Sequence, residues 1–179
     1  MTQNQDTLAA VSLAMADEDS DAFAERIGRS FADWGFAVVA DHGIPAELIA
    51  RAEAMSRAFF ALPEEVKRAY HVAGGGGARG YTPFGTESAK DSDISDLKEF
   101  WHIGRELPVG HEFEPYMPVN VWPQELEGFR ETYLEMFAAF DKAGARILEA
   151  IARFLGLSPD FFVDTVRDGN SVMRLIHYP

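Results

Sequence analysis

Histidines are the residues of this chain that are most able to hold a catalytic metal ion. A facial iron site uses two histidines and one carboxylate, commonly as a His-x-Asp pair with a distant second histidine. No histidine here is followed two positions later by Asp or Glu. The sequence therefore predicts that this chain carries no complete iron site of that kind. The five histidines are His42, His71, His102, His111 and His177.

One Glu-x-x-His pair, Glu99 and His102, has the spacing that binds di-iron centres when it lies on a helix. Such centres use two copies of the motif on facing helices, whereas this chain has one. Residues 99–103 alternate as a β-strand does, and positions three apart on a strand point to opposite faces. An ordinary strand with polar residues is therefore the favoured interpretation of this pair.

Two further catalytic patterns are incomplete. The run Gly74–Gly77 is followed by Ala78 and Arg79, whereas a phosphate-binding loop needs Gly-Lys-Ser/Thr and a preceding strand. Ser, His and Asp are all present, but no Gly-x-Ser-x-Gly segment marks a nucleophile. Flexibility is the favoured interpretation of the glycine run, and a hydrolytic triad stays an alternative.

The composition narrows the range of functions. Sixteen basic and 29 acidic residues give a formal charge of −13, and such a surface repels the phosphates of nucleic acids. The absence of cysteine excludes disulfides, zinc–thiolate sites and cysteine nucleophiles. The apolar stretches are too short to span a bilayer, and the polar segment 1–6 does not resemble a signal peptide. We therefore expect a cytoplasmic protein that binds neither nucleic acid nor membranes.

The elements that would position these residues are mainly helices. Apolar residues at helical spacing predict a helix with Ser20 as its N-cap that ends at Gly35. A second helix would open at Pro45, and a long helix with an apolar face over residues 126–154 would end at Gly156. The remaining predictions are short helices after Pro63 and over 158–166, strands over 8–13, 36–40, 99–103 and 171–178, and a long loop over 72–96.

Five pieces of the chain form a recognisable set. They are Trp34–Phe36 with Asp41–Pro45, Phe59–Lys67, Arg79–Tyr81 with Asp96–Glu99, Asn120–Pro123, and Met173–Pro179. In this order they resemble the N-terminal region of the isopenicillin N synthase-like family of non-haem Fe(II)/2-oxoglutarate-dependent dioxygenases. Each piece alone is a common pattern, but together they cover most of the chain.

The resemblance implies an α+β fold in which helices pack against a double-stranded β-helix, or jelly roll. This chain would form one domain that carries the N-terminal helical part and the first strands. Residues 1–120 would be the N-terminal dioxygenase region, 121–156 the long helix that backs the jelly roll, and 157–179 the entry into its core. His42 lies in one of the matching pieces, where a turn-stabilising role is expected rather than metal binding.

The resemblance also implies which residues face the site. Tyr178 would donate a hydrogen bond to 2-oxoglutarate. Arg79 and Tyr81 belong to a loop near the mouth of the active site, where they would bind substrate or simply pack. Many relatives place an asparagine two positions before the tyrosine, where this chain has Ile176. This departure leaves open a relative that does not use 2-oxoglutarate.

The implied activity is that of an oxygenase. Fe(II) and 2-oxoglutarate would be required, oxygen would convert 2-oxoglutarate to succinate, and a small organic substrate would be oxidised at a C–H bond. We assign no catalytic or metal-binding residue within this chain, because the iron ligands and the arginine that pairs with 2-oxoglutarate would lie beyond Pro179. Two alternatives remain open: a binding or scaffold domain that has lost the chemistry, and a mostly helical enzyme of another kind.

Overall fold

The computed structural model describes residues 8–86 and 96–179. The chain divides into two compact units, Met1–Pro45 with Ala138–Arg167 and Ala46–Phe137 with Asp168–Pro179. The single domain and its three regions expected from the sequence stay a prediction. None of the described helices is long and apolar enough to cross a lipid bilayer.

The described chain contains six α-helices, five short strands and one 3-10 helix. The helices are α1 (Met15–Glu18), α2 (Ser20–Trp34), α3 (Ala46–Phe60), α4 (Glu64–Arg68), α5 (Phe129–Phe154) and α6 (Val163–Val166). The strands are β1 (Val11–Ser12), β2 (Val39–Ala40), β3 (Gly80–Thr82), β4 (Glu99–Gly104) and β5 (Val172–His177). A 3-10 helix spans Glu114–Tyr116.

The first unit is held together by an apolar core beneath a parallel pair of strands. β1 and β2 pair in parallel, with Val11 opposite Val39. Phe23 and Ile27 lie four residues apart on α2, so that both side chains point from the same face of the helix into this core. The buried members of the core are Val11, Leu13, Phe23, Ala24, Ile27, Ala143 and Ala150.

The two ends of α2 explain its length. The Asp19 side chain accepts a hydrogen bond from the Ala22 N–H at 2.9 Å, so that Asp19 is the N-cap and Ser20 is the first helical residue. The predicted cap at Ser20 is wrong by one residue, because aspartate and serine are both preferred at this position and the sequence offers them side by side. At the other end Gly35 adopts φ +77 and ends the helix as predicted.

The strand that follows α2 is shorter and more exposed than the sequence predicts. The prediction covers a buried strand over 36–40, whereas Val39–Ala40 are the residues that pair with β1. Phe36 is 53% exposed. An apolar run predicts burial only where another element covers it, and β1 is only two residues long. The prediction is therefore wrong in two respects: residues 36–38 are not part of the strand, and Val39 and Ala40 are only half-buried.

Gly28→Ala in α2 is expected to destabilise the protein, although alanine normally favours helices. A Cβ atom built on Gly28 would lie 2.1 Å from Cγ of the Phe154 ring, far inside van der Waals contact. Overpacking of this kind costs about 1–3 kcal/mol, which urea unfolding would measure. Gly144→Ala in α5 is the matched control, because a Cβ there meets nothing within 4 Å. The control should gain about 0.5–1 kcal/mol, and a similar gain at Gly28 would contradict the prediction.

The second unit contains an antiparallel sheet in the order β3-β4-β5. All six residues of the central strand β4 are buried. One face of the sheet is covered by aromatic rings from two helices. The Phe59 ring of α3 and the Phe129 ring of α5 lie 4.6 Å and 5.7 Å, centroid to centroid, from the Trp101 ring of β4. The long helix therefore contacts a β-sheet, as the resemblance implies.

The long helix predicted from the apolar face is confirmed, but it begins at Phe129 rather than near Leu126. Gly128 adopts φ +79 immediately before the helix, a conformation that a right-handed helix does not contain. The 26 residues of α5 span about 39 Å.

Nearer the end of the chain, α6 covers only Val163–Val166 of the predicted 158–166, and β5 confirms the predicted final strand.

Strand β3 lies inside the region that the sequence assigns to one long loop, residues 72–96. Its three residues, Gly80–Thr82, are buried and pair with β4. Three residues are too few to show an alternating pattern, so that the pairing with β4 rather than the local sequence creates this strand. Residues 87–95 of the predicted loop lie outside the described residues.

Candidate functional site

Three polar side chains meet around the buried carboxylate of Glu99, which is 1% exposed. The Lys67 ammonium donates to both carboxylate oxygens, at 2.7 and 2.9 Å. The Tyr81 hydroxyl donates to Oε2 at 2.5 Å, and Nδ1 of His177 lies 2.8 Å from Oε1. We call these residues the Glu99 cluster. It joins α4, β3, β4 and β5, because each of these elements contributes one member.

The partners of Glu99 keep its carboxyl group ionised. Burial alone would raise the pKa of Glu99, but hydrogen bonds from Lys67, Tyr81 and His177 outweigh burial, so that the pKa lies below its ordinary value of 4.5. Burial, together with the adjacent carboxylate, raises the pKa of Tyr81, so that its hydroxyl keeps its proton. Because a carboxylate can only accept, Nδ1 of His177 carries a hydrogen in this contact.

The stability that Glu99 contributes is expected to be lost in acid. A carboxyl group whose pKa is lowered by folding stabilises the protein above its ordinary pKa, and this stabilisation disappears as the pH falls through the folded pKa. The difference in the free energy of unfolding between the unmodified protein and Glu99→Gln should therefore be large at pH 7 and shrink below about pH 4.5. Urea unfolding at pH 7, 4 and 3 measures it, and a difference that does not change with pH would contradict the prediction.

The ring of His177 reaches from the Glu99 cluster to a surface cleft. It stacks on the Phe60 ring, with centroids 5.2 Å apart and an angle of 23° between the planes. The His177 side chain is 42% exposed and lines the cleft, whose volume is about 470 Å³. The cleft is lined by Glu53, Ser56, Arg57, Phe60, Ala61, Ile176 and His177. One side of the imidazole is thus bonded internally while the ring borders solvent.

The opposite face of the sheet carries a second polar arrangement, around His102. Arg174 is its Cα partner on β5, and Arg174 Nε donates to His102 Nε2. The guanidinium carbon of Arg174 lies 4.5 Å from the centre of the Phe100 ring, where a cation is attracted by the π electrons. Because Nε2 accepts, Nδ1 carries the hydrogen and donates to the Gly77 carbonyl at 2.5 Å. This bond fixes the end of the glycine run to the sheet.

No three His, Cys, Asp or Glu side chains within residues 8–86 and 96–179 form a group that could hold a metal ion. The structure places Glu99 and His102 on opposite faces of β4, each with its own partners, as the strand interpretation predicts. Nδ1 of His42 accepts a hydrogen bond from the Ile44 N–H at 3.1 Å, which is the predicted turn-stabilising role.

Both residues predicted to face substrate are buried, Arg79 at 3% exposure and Tyr81 at 1%. Arg79 donates to the Pro118 carbonyl at 3.1 Å and to Oδ1 of Asn170 at 3.2 Å, and burial lowers its pKa. Tyr81 belongs to the Glu99 cluster, whereas Arg79 does not. These contacts favour the packing alternative for both residues, and their contact with substrate stays a prediction.

Tyr178 directly follows the last residue of β5 and is 66% exposed. Successive side chains of an extended chain point to opposite sides, so that Tyr178 is expected on the side of Ile176 and Arg174 rather than with His177. The Tyr178 side chain is therefore accessible from solvent. Its contact with 2-oxoglutarate stays a prediction.

Sequence reasoning missed Lys67, His177 and Arg174 as parts of these arrangements. Lys67 and Glu99 are 32 positions apart, so that no local pattern links them. The one available signal for this pair was that Lys67 and Glu99 belong to two of the pieces that carry the family resemblance, Phe59–Lys67 and Asp96–Glu99.

Comparison with known protein families gives a match over most of the chain. The N-terminal family described as "non-haem dioxygenase in morphine synthesis" matches residues 8–125, which are 118 of the 179 residues. A validamycin A dioxygenase from Streptomyces hygroscopicus subsp. limoneus is 34% identical over 170 residues, which cover 92% of this chain and 47% of that protein. A proline hydroxylase, buaE, from Petromyces alliaceus is 31% identical over 166 residues, which cover 89% and 50%. The chain thus spans about half the length of the curated relatives that it matches.

Solved structures agree with the sequence matches. A 2OG-Fe(II) oxygenase family protein from Caulobacter crescentus has a TM-score of 0.89 and 47% identity, covering 97% of this chain and 56% of its own. Full-length T7H from Neurospora crassa, in complex with alpha-KG (2-oxoglutarate), has a TM-score of 0.81 and 26% identity, covering 100% and 56%. Both support the α+β fold. From the match over residues 8–125 and these likenesses, the chain belongs to the non-haem Fe(II)/2-oxoglutarate dioxygenase family, of which it represents the N-terminal region.

Proposed function

We propose that this chain forms the N-terminal portion of an Fe(II)/2-oxoglutarate-dependent oxygenase that oxidises a small organic substrate at a C–H bond. The observation that carries the proposal is the likeness, at 47% identity over nearly the whole chain, to the Caulobacter 2OG-Fe(II) oxygenase family protein. The crystal structures of Neurospora T7H with thymine and with 5-formyluracil support a small-molecule substrate. The cytoplasmic location and the lack of nucleic-acid and membrane partners stay predictions.

The complete fold would be a jelly roll with helices packed against one side. Strands β3, β4 and β5 would be its opening strands, and α3 and α5 would cover their outer face. The packing of Phe59 and Phe129 on Trp101 supports this arrangement. The other face, which carries His102, Arg174 and Ile176, would then face the interior of the jelly roll.

The described residues do not offer a ligand set for Fe(II), because no three potential ligands come together among them. We propose that the two histidines and one aspartate expected for the metal lie in sequence that follows Pro179 in the full-length protein, because the chain spans only about half the length of its relatives. This chain is assigned no step at the metal. Its contribution would be to support the sheet and to hold 2-oxoglutarate.

Tyr178 fits one contact to 2-oxoglutarate. An exposed phenol at the end of β5 can donate a charge-assisted hydrogen bond to a carboxylate. When bound, Fe(II) and 2-oxoglutarate would supply the oxidising chemistry, in which O2 provides one oxygen atom to convert the co-substrate to succinate and CO2 and the other to oxidise the substrate. Ile176 offers no polar contact beside Tyr178, and this favours, as a second candidate, a relative that does not use 2-oxoglutarate.

The test uses the full-length protein loaded with Fe(II) in the absence of oxygen. We expect 2-oxoglutarate to bind and, after oxygen and a panel of small molecules are added, succinate to form together with an oxidised product. Oxidation without succinate would favour the second candidate, and binding of neither Fe(II) nor 2-oxoglutarate would favour a scaffold without chemistry. Tight Fe(II) binding by the 179-residue chain alone would contradict the placement of the ligands beyond Pro179.

A further inference from the structure

His177 is the last residue of β5 and directly precedes Tyr178, the residue proposed to bind 2-oxoglutarate. Its Cα partner in the ladder is Glu99, and this is the final pair between β4 and β5. Strand ends fray unless side chains hold them. The contacts that restrain His177 therefore also restrain the adjoining backbone of Tyr178.

The His177 ring is held on three sides. Nδ1 is bonded to Glu99 Oε1 at 2.8 Å, the ring stacks on Phe60 at 5.2 Å, and the Phe84 ring meets it edge-on at 6.4 Å. The ring is thus restrained both by a polar bond and by aromatic contacts. A histidine at the end of a strand is compatible with water without any of these contacts. The three contacts therefore restrain the ring beyond what its exposure requires.

The contacts behind His177 form a closed circuit. Phe60 supplies the ring on which His177 stacks, and the Phe60 carbonyl also accepts a hydrogen bond from Lys67 at 3.1 Å. Lys67 binds both oxygens of Glu99, which binds His177. Because every member of the circuit has two neighbours in it, movement of His177 strains contacts in both α3 and α4.

Tyr178 is restrained from its other side as well. It precedes Pro179, and a residue before proline is confined to extended backbone conformations. We propose that His177, held by Glu99, is the positioning residue that aims the Tyr178 hydroxyl at the carboxylate of 2-oxoglutarate. This inference rests on the proposed function. It assigns to the buried cluster a role in co-substrate affinity as well as in stability.

The test compares His177→Phe with His177→Asn in the full-length, Fe(II)-loaded protein. Phenylalanine keeps an aromatic ring between Phe60 and Phe84 but removes the bond to Glu99. Asparagine loses the ring but keeps an N–H close to the position of Nδ1. Calorimetry without oxygen gives the Kd of 2-oxoglutarate, and turnover gives its KM and kcat.

We expect His177→Phe to raise Kd and KM for 2-oxoglutarate on the order of tenfold, with kcat changed less than about twofold, since a lost ground-state contact acts on binding. His177→Asn should recover part of the affinity. Arg57→Ala, in the cleft wall but outside the circuit, should leave the Kd unchanged. Tyr178→Phe should weaken binding at least as much as His177→Phe.

The outcomes separate this inference from the proposed function. If the unmodified protein does not bind 2-oxoglutarate, the proposed function fails and the inference fails with it. If the unmodified protein binds and Tyr178→Phe weakens binding while His177→Phe does not, only the positioning role is overturned. If His177→Phe lowers kcat and melting temperature without raising Kd, the residue is merely structural. Unchanged binding in Tyr178→Phe would also overturn the inference, because there would be no contact to position.

Discussion

Glu99→Ala is expected to lower the free energy of unfolding by about 3–5 kcal/mol. The substitution removes the carboxylate from a pair in which both side chains are less than a tenth exposed, and so leaves the Lys67 ammonium buried without its counter-charge. It also deprives the Tyr81 hydroxyl and the His177 ring of their acceptor. Urea unfolding at pH 7, followed by circular dichroism, measures the effect.

Two controls separate this effect from the loss of any salt bridge. Asp164→Ala breaks the exposed pair of Asp164 with Arg167 and should cost at most about 0.5 kcal/mol. The double variant Lys67→Met with Glu99→Gln removes both charges together and should be less destabilised than Glu99→Ala, since no buried charge is left unpaired. A cost for Glu99→Ala as small as that of the surface pair would contradict the prediction.

The helices could be predicted from the sequence because their information is local. The spacing of Phe23 and Ile27 and the glycine at position 35 fix α2, and the apolar face of residues 129–154 fixes α5. The errors in the predicted helices lie at their ends, where a single residue determines the position at which the helix begins. Asp19 rather than Ser20 caps α2, and the φ of Gly128 delays the start of α5.

The strands were harder to predict than the helices, because a strand is defined by pairing with a partner strand that the local sequence does not contain. β3 has three residues and exists through its pairing with β4. β2 was predicted as a buried strand, yet Phe36 faces solvent. Strands β4 and β5 have six residues each, and both lie where the sequence predicts a strand.

The candidate site was predictable only through the family resemblance. That resemblance pointed to Tyr178, Arg79 and Tyr81, but it could not tell an exposed side chain from a buried one. The structure separates them, since Tyr178 is exposed whereas Arg79 and Tyr81 are enclosed by other parts of the chain. The pairing of Lys67 with Glu99 depends on how α4 packs against β4, which no spacing in the sequence encodes.

Phe59→Ala is expected to lower the free energy of unfolding by about 3–5 kcal/mol, through a different cause from Glu99→Ala. Phe59 is fully buried, and its ring contacts those of Phe60, Tyr81 and Trp101 with centroids 5.4, 5.8 and 4.6 Å apart. Alanine removes these edge-to-face contacts and leaves a cavity between α3 and the sheet, and rings in close-packed surroundings cannot move in to fill it.

Phe36→Ala is the matched control, because it deletes the same atoms from a side chain that is 53% exposed. It should cost no more than about 1 kcal/mol, since little apolar surface leaves water at that position on folding. Unlike Glu99→Ala, the loss at Phe59 should persist from pH 7 to pH 4, because no ionisable group is removed. Urea unfolding measures both variants. Equal losses of unfolding free energy for Phe59→Ala and Phe36→Ala would mean that α3 does not pack on the sheet as described. The packing evidence for a jelly roll covered by helices would then be lost.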